Sequence, residues 1–136
     1  MSANSRGPIL GIDYGTKRIG LAISDPDGRV AVPRAVMANK GSLAQVIGEI
    51  VAAVQQEGIV AIVVGLPKSQ RGKTTDMTTK AMEFATALRR AATIPVIMAD
   101  ERMTSSSVLA APGGIGSAPI DARAATVLLQ DYLDQQ

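Results

Sequence analysis

Three acids stand at the ends of apolar runs. Asp13 closes Ile9-Leu10-Gly11-Ile12, Glu101 follows Val96-Ile97-Met98-Ala99-Asp100, and Asp121 opens a stretch of helical periodicity. Carboxylates are hard oxygen donors that suit Mg²⁺ or Mn²⁺. Three of them at one place would repel one another unless a dication held them together. A two-metal site needs such a cluster, one ion activating a water and the other stabilising the leaving oxygen of a phosphodiester. The chain contains no His and no Cys. That removes the commonest general base, Ser-His-Asp and Cys-His arrangements, thiolate nucleophiles, disulfides and nearly all transition-metal sites. An enzyme of this composition must work through its carboxylates.

Each acid taken singly also has an ordinary role. Asp13 could satisfy amides in a turn, Asp121 could complement a helix dipole, and Glu101 could pair with Arg102. Asp100 competes with Glu101 for the same function, because adjacent residues on an extended chain point to opposite faces. The residues alone leave that choice open.

Cations lie where a phosphate backbone would need them. Lys17 and Arg18 follow Asp13 closely, and the loop from Gly65 to Thr74 carries Lys68, Arg71 and Lys73 with no acid before leading into a helix start. Such a loop could hold phosphates through its cations and helix amides, or be plainly solvated. It is not a P-loop, since the Gly-x-x-x-x-Gly-Lys-Ser/Thr spacing is absent. Ser105, Ser106 and Ser107 have no His or suitable Lys to activate them and read as a helix start.

The elements that must position these groups are legible from periodicity. Residues 1–7 have turn-forming composition and are expected to be a flexible tail, with residues 8–136 forming one domain. Ile9 to Asp13 reads as a strand, Arg18 to Ser24 alternates with Ile19, Leu21 and Ile23 on one face, and Arg29 to Val36 reads as a third strand after the Asp25-Pro26-Asp27-Gly28 turn. Pro33 marks an edge or the end of that strand. Ser42 to Gln45 fits a capping box that opens a helix running to Gly58. Ile59 to Val64 is a β-branched run suited to a strand buried on both faces. A second helix carries Met77, Ala81, Phe84, Ala85 and Leu88 and ends before Pro95; Val96 to Ala99 is a fifth strand. Met103 to Ala110 reads as a short helix, Pro112 to Pro119 as a Gly-rich loop, and Asp121 to Leu133 as a closing helix. The expected fold is α/β and ribonuclease H-like, an antiparallel three-strand meander followed by parallel strands in one mixed five-stranded sheet flanked by helices.

Composition narrows partners and location. A net charge of +2 and a pI near 9.2 permit a polyanionic partner. An aromatic content of 2% argues against a base-stacking platform. No apolar run reaches the roughly eighteen residues of a membrane span and no signal peptide is visible, so the expected location is cytoplasmic, without membrane contact.

The sequence resembles the YqgF family, also called RuvX-like, of pre-16S rRNA nucleases and Holliday junction resolvase-like proteins. Four motifs carry the resemblance: Gly11-Ile12-Asp13-Tyr14-Gly15-Thr16-Lys17-Arg18-Ile19-Gly20 with Ser24-Asp25; Val63-Val64-Gly65-Leu66-Pro67; Asp100-Glu101-Arg102-Met103-Thr104; and Asp121-Ala122-Arg123-Ala124-Ala125 running into Leu128 to Leu133. It implies a ribonuclease H-like nuclease that uses Mg²⁺ or Mn²⁺ and whose acidic positions are Asp13, Glu101 and Asp121, which selects Glu101 over Asp100. Lys17, Arg18, Lys68, Arg71, Lys73 and Arg102 are the expected nucleic-acid contacts. Where family members carry basic residues before the last Asp, this chain reads Gly113 to Ile120 without charge, which bears on substrate affinity.

The implied substrate is structured RNA, foremost pre-16S rRNA, with branched DNA as the alternative; cutting a two-fold symmetric junction would favour a homodimer. Two rival classes are an actin-like phosphotransferase, for which one lobe is too little, and a non-catalytic nucleic-acid-binding module.

Overall fold

The computed structural model describes residues 7–66, 76–100 and 120–136, and for residues 66, 76, 77, 100, 120 and 121 the backbone alone. The elements run β1 (Ile9–Asp13), β2 (Arg18–Ser24), β3 (Ala31–Ala38), α1 (Leu43–Glu57), β4 (Ala61–Leu66), α2 (Asp76–Ala91), β5 (Val96–Asp100) and α3 (Ile120–Asp134). The five strands form one sheet in the order β3-β2-β1-β4-β5. β1 pairs antiparallel with β2 and parallel with β4, β2 pairs antiparallel with β3, and β4 pairs parallel with β5. The expected meander and parallel strands are both present, with β1 at the centre.

Alternation along the strands sorts their side chains into two cores. Leu10 and Ile12 of β1, Ile19 and Leu21 of β2, and Ile62 and Val64 of β4 pack with Val46, Ile47, Ile50 and Val54 of α1 and with Phe84, Ala85 and Leu88 of α2. On the opposite face Ala22, Ala31 and Val63 pack with Ala125, Leu129 and Leu133 of α3. Phe84 is fully buried, and such a side chain contributes about 1.5–3 kcal/mol by leaving water.

Helix α1 starts as its sequence implies. The Ser42 hydroxyl accepts from the Gln45 N–H at 3.1 Å, and the Gln45 side chain accepts from the Ser42 N–H at 3.1 Å, completing the capping box. It stops at Gly58, whose φ of 67° is left-handed.

Two strands begin later than their composition suggests. β3 starts at Ala31 rather than Arg29, because the Asp25 carboxylate accepts the N–H groups of Arg29 at 2.7 Å and Val30 at 2.9 Å and so holds these residues in the turn. These two bonds, Val30 foremost, also hold the Asp25 carboxyl below its usual range. β4 starts at Ala61 rather than Ile59, since the Ile59 N–H is spent on Val54 O at the exit of α1 and the Val60 N–H on Pro8 O. β4 also runs past Val64 to Leu66, which makes Gly65 a strand residue instead of the first residue of a loop.

Pro33 lies inside β3, on the outer edge of the sheet, where its missing N–H costs no ladder bond to a further strand. The register shifts there, Leu21 pairing with Ala35 and Ala22 with Pro33, so Arg34 is the extra residue of a bulge. Its guanidinium forks onto Glu57 at the end of α1, Nε reaching the two carboxylate oxygens at 3.1 and 2.9 Å and Nη2 bonding Oε2. The bond to Arg34 lowers the pKa of Glu57.

Residues 1–6 of the expected tail, the loop residues 67–75 and the segment 101–119 lie outside the described residues, and with them the expected short helix and Gly-rich loop. Among the described residues, no helix is long and apolar enough to cross a membrane.

Candidate active site

Asp13 is the last residue of the central strand. Its Cα partners are Gly20 on β2 and Gly65 on β4, and Gly65 in turn pairs with Ala99 on β5. In-register residues share a face of the sheet, so a row reading Gly20, Asp13, Gly65, Ala99 crosses four strands. One carboxylate rises from it, and the residues paired directly with it on β2 and β4 are both glycines. The pairing of these glycines with Asp13 is not visible in the sequence, where Gly20 and Gly65 stand far from each other and Gly65 sits beside a turn signal.

The face on which this row lies is the one covered by α3. Gly11, two residues before Asp13, makes room for the helix: a methyl group at that position would stand 2.8 Å from Leu129 Cβ and 3.3 Å from Ala125 O. Helix α3 crosses the sheet toward the β2–β3 turn, where Gln130 accepts the Ala31 N–H at 2.9 Å and donates to Arg29 O at 2.9 Å. Its first turn therefore lies at the Asp13 end. Asp121 stands one turn before Ala125 in α3, a shift of about 6 Å along the helix axis. The third strand end at this edge is that of β5, at Asp100, about 10 Å from β1 because neighbouring strands are about 4.8 Å apart.

The residue after Asp13 points the other way. The Tyr14 ring stacks on Phe84 of α2 with centroids 4.8 Å apart and a tilt of 36°, an arrangement that contributes about 0.5–1.5 kcal/mol beyond the area buried. This contact fixes the end of β1, with the aromatic ring on the α1/α2 face and the carboxylate on the α3 face.

The corner that follows is closed by glycine and by Asn39. A Cβ on Gly15 would collide with Arg18 O. The Asn39 side-chain amide donates to Gly15 O at 2.7 Å, and the Asn39 backbone N–H donates to Lys17 O at 2.9 Å. Lys17 and Arg18 leave this corner exposed to solvent. Arg18 shares the face of Gly20, two residues on, and hence of Asp13.

The expected site residues thus divide in two. The structure brings Asp13, Arg18 and the backbone of Asp121 to one end and one face of the sheet, with Lys17 at the adjoining corner. Glu101, Arg102, Lys68, Arg71 and Lys73 lie outside the described residues, as does the Asp121 side chain. Among the described residues, no three His, Cys, Asp or Glu side chains form a metal-sized group, since the other two candidate carboxylates are not among them.

A family model described as "RuvX: Holliday junction resolvase" matches residues 7–135. A protein of Nocardioides sp. named "Putative pre-16S rRNA nuclease" is 43% identical over 140 residues, covering 96% of this chain and 89% of its own length. One of the same name from Chloroflexus aurantiacus is 40% identical over 132 residues, covering 93% of this chain and 86% of its own. Among solved structures, RuvC of Thermus thermophilus superposes with a TM-score of 0.65 at 15% identity over 94% of this chain and 95% of that one. RuvC of the same organism in complex with a Holliday junction substrate gives 0.60 at 15% identity over 95% and 96% of the two chains. That likeness carries the ribonuclease H-like fold.

Proposed function

The chain belongs to the RuvX family, and from that membership and the open row around Asp13 we propose that it is a divalent-metal-dependent nuclease acting on structured RNA. Pre-16S rRNA is the substrate that its relatives' names point to. Asp13, Glu101 and Asp121 hold Mg²⁺ or Mn²⁺ in this reading. The donor chemistry fits, because the chain offers hard carboxylate oxygens and no His or Cys. The space fits too, because both strands beside Asp13 carry glycine at its level.

The observation that carries the proposal is a carboxylate held at the end of the central strand, with glycine on either side and the first turn of α3 at the same end. Held by these carboxylates, divalent ions would supply the activation of water and the stabilisation of the leaving oxygen. The protein's own contribution is positional. Tyr14 on Phe84 fixes the direction of Asp13, Gly11 sets how closely α3 approaches, and Lys17 and Arg18 neutralise the backbone of the strand being cut. Lys68, Arg71, Lys73 and Arg102 extend that cationic track. A pre-16S substrate implies action in the cytoplasm.

Cleavage of four-way DNA junctions is the second reading, favoured by the family description; it would call for two copies arranged two-fold about the junction. A panel of precursor rRNA, single-stranded RNA and four-way DNA junctions, incubated with Mn²⁺, separates the two. Cleavage of the precursor is expected, with Asp13→Asn abolishing it while the circular dichroism spectrum and binding persist. Cleavage of the junction alone would move the assignment to DNA. Full activity of Asp13→Asn would remove Asp13 from the site, and RNA binding without any cleavage would make the protein a binding module.

A further inference from the structure

At the same end of the sheet as Asp13, but on the α1/α2 face, a cleft of about 300 Å³ opens between the β1–β2 corner, the β3–α1 connection and helix α2. Tyr14 and Thr16 form one wall, Asn39 and Gly41 the second, and Lys80 and Glu83 the third. Of its polar side chains Lys80 is a donor only, Glu83 an acceptor only, and Tyr14, Thr16 and Asn39 can each donate. Lys80 is exposed on the second turn of α2, and among the described residues no ion pair joins it to Glu83, three positions on. The Thr16 hydroxyl stands on the corner itself. A side-chain amide carries two N–H donors, and Asn39 commits one bond to Gly15 O. Helix α1 also starts here, at Leu43, with no acid in its own first turn.

We propose that this cleft is a second contact site for the substrate strand and takes one backbone phosphate flanking the bond that is cut. The inference rests on the nuclease reading. Thr16 stands three positions after Asp13, at most about 11 Å of extended chain, so one strand laid over the Tyr14–Lys17 corner reaches both. A phosphate suits the cleft better than a base does. Tyr14, the aromatic ring at its wall, is already stacked on the buried Phe84, whereas base recognition in single strands relies on exposed rings. Glu83 sets a limit of its own, favouring a single phosphate beside Lys80 over a highly charged polyphosphate.

The test compares wild type with Lys80→Gln and Thr16→Val, using Arg90→Gln in the last turn of α2 as the control. Binding of a fluorescent precursor-rRNA fragment is followed by anisotropy without metal from about 50 to about 300 mM salt, and cleavage kinetics are followed with Mn²⁺. Lys80→Gln should weaken binding about three- to tenfold at the low-salt end and flatten the logarithmic salt dependence by about one counterion. KM should rise by a similar factor, with kcat changing less than about twofold. Thr16→Val should raise KM in the same sense and leave the salt dependence as in wild type, since it removes a donor without a charge. If Lys80→Gln and Arg90→Gln give superimposable salt curves and KM values, the cleft is not a strand contact, although the nuclease reading stands. If the wild type neither binds nor cleaves any nucleic acid in the panel, both fall together. Inhibition of the wild type by mononucleotide phosphate equal to that by an oligonucleotide would overturn the assignment to a strand.

Discussion

Asp13 of β1 and Gly65 of β4 stand opposite one another in parallel register, one bearing the carboxylate and the other no side chain at all. Because in-register residues share a face, any side chain placed at position 65 projects beside that carboxylate.

Gly65→Ala and Gly65→Val should therefore lower cleavage in a graded way. The valine variant should lose at least about tenfold in kcat/KM, equivalent to about 1.4 kcal/mol of transition-state stabilisation. Steady-state kinetics with Mn²⁺, with urea midpoints measured in parallel, separate this loss from simple destabilisation. Wild-type kinetics in Gly65→Val would show that the row beside Asp13 takes no part in the reaction.

Gly11→Ala acts on the helix instead. The added methyl must displace Leu129 or lift α3 at Ala125, and overpacking of this kind costs about 1–3 kcal/mol. Chemical denaturation should show that loss. A Leu129→Gly partner substitution, which removes the crowding Cβ, should recover part of the penalty when the double variant is compared with Leu129→Gly alone. Additive effects would mean that the two residues do not compete for volume.

Asp25 gives stability a dependence on pH at the opposite end of the sheet. Its folded-state carboxyl lies below its ordinary value, first through the Val30 N–H and then the Arg29 N–H. A group whose folded pKa is depressed contributes stability above its unfolded pKa, and loses it as the pH falls through the folded one. Urea midpoints should show wild type more stable than Asp25→Asn at neutral pH, with the difference narrowing below about pH 4. A difference that stays constant from neutral to strongly acid solution would assign the bonds to the neutral form.

How much of this was legible depends on the range of the interaction. β1 and β2 were bounded correctly because alternation and a glycine corner are local signals, and α1 because its capping box and its terminal Gly58 lie within a turn of its ends. The late starts of β3 and β4 were hidden because the Asp25 carboxylate and Pro8 O compete for backbone N–H groups only once the chain has folded. The same holds for the site. Asp13 announced itself as a carboxylate at a strand end. Gly20, Gly65 and Asn39 did not, since their relevance lies in which strand or loop they meet. Lys17 and Arg18 were expected near Asp13, and the fold puts Arg18 on its face; Glu101, Lys68, Arg71, Lys73 and Arg102 lie outside the described residues.

The docking of α3 on Gly11 also orders events during synthesis. β1 leaves the ribosome more than a hundred residues ahead of α3, and the bond from Ala31 N–H to Gln130 spans 99 positions. Contacts of such separation close late. The nascent sheet must wait with one apolar face bare, and the first turn of α3 reaches the Asp13 end only after translation has passed residue 121. A nuclease whose metal site draws on both elements, as proposed above, would stay incomplete while its own early segments are still emerging beside ribosomal RNA.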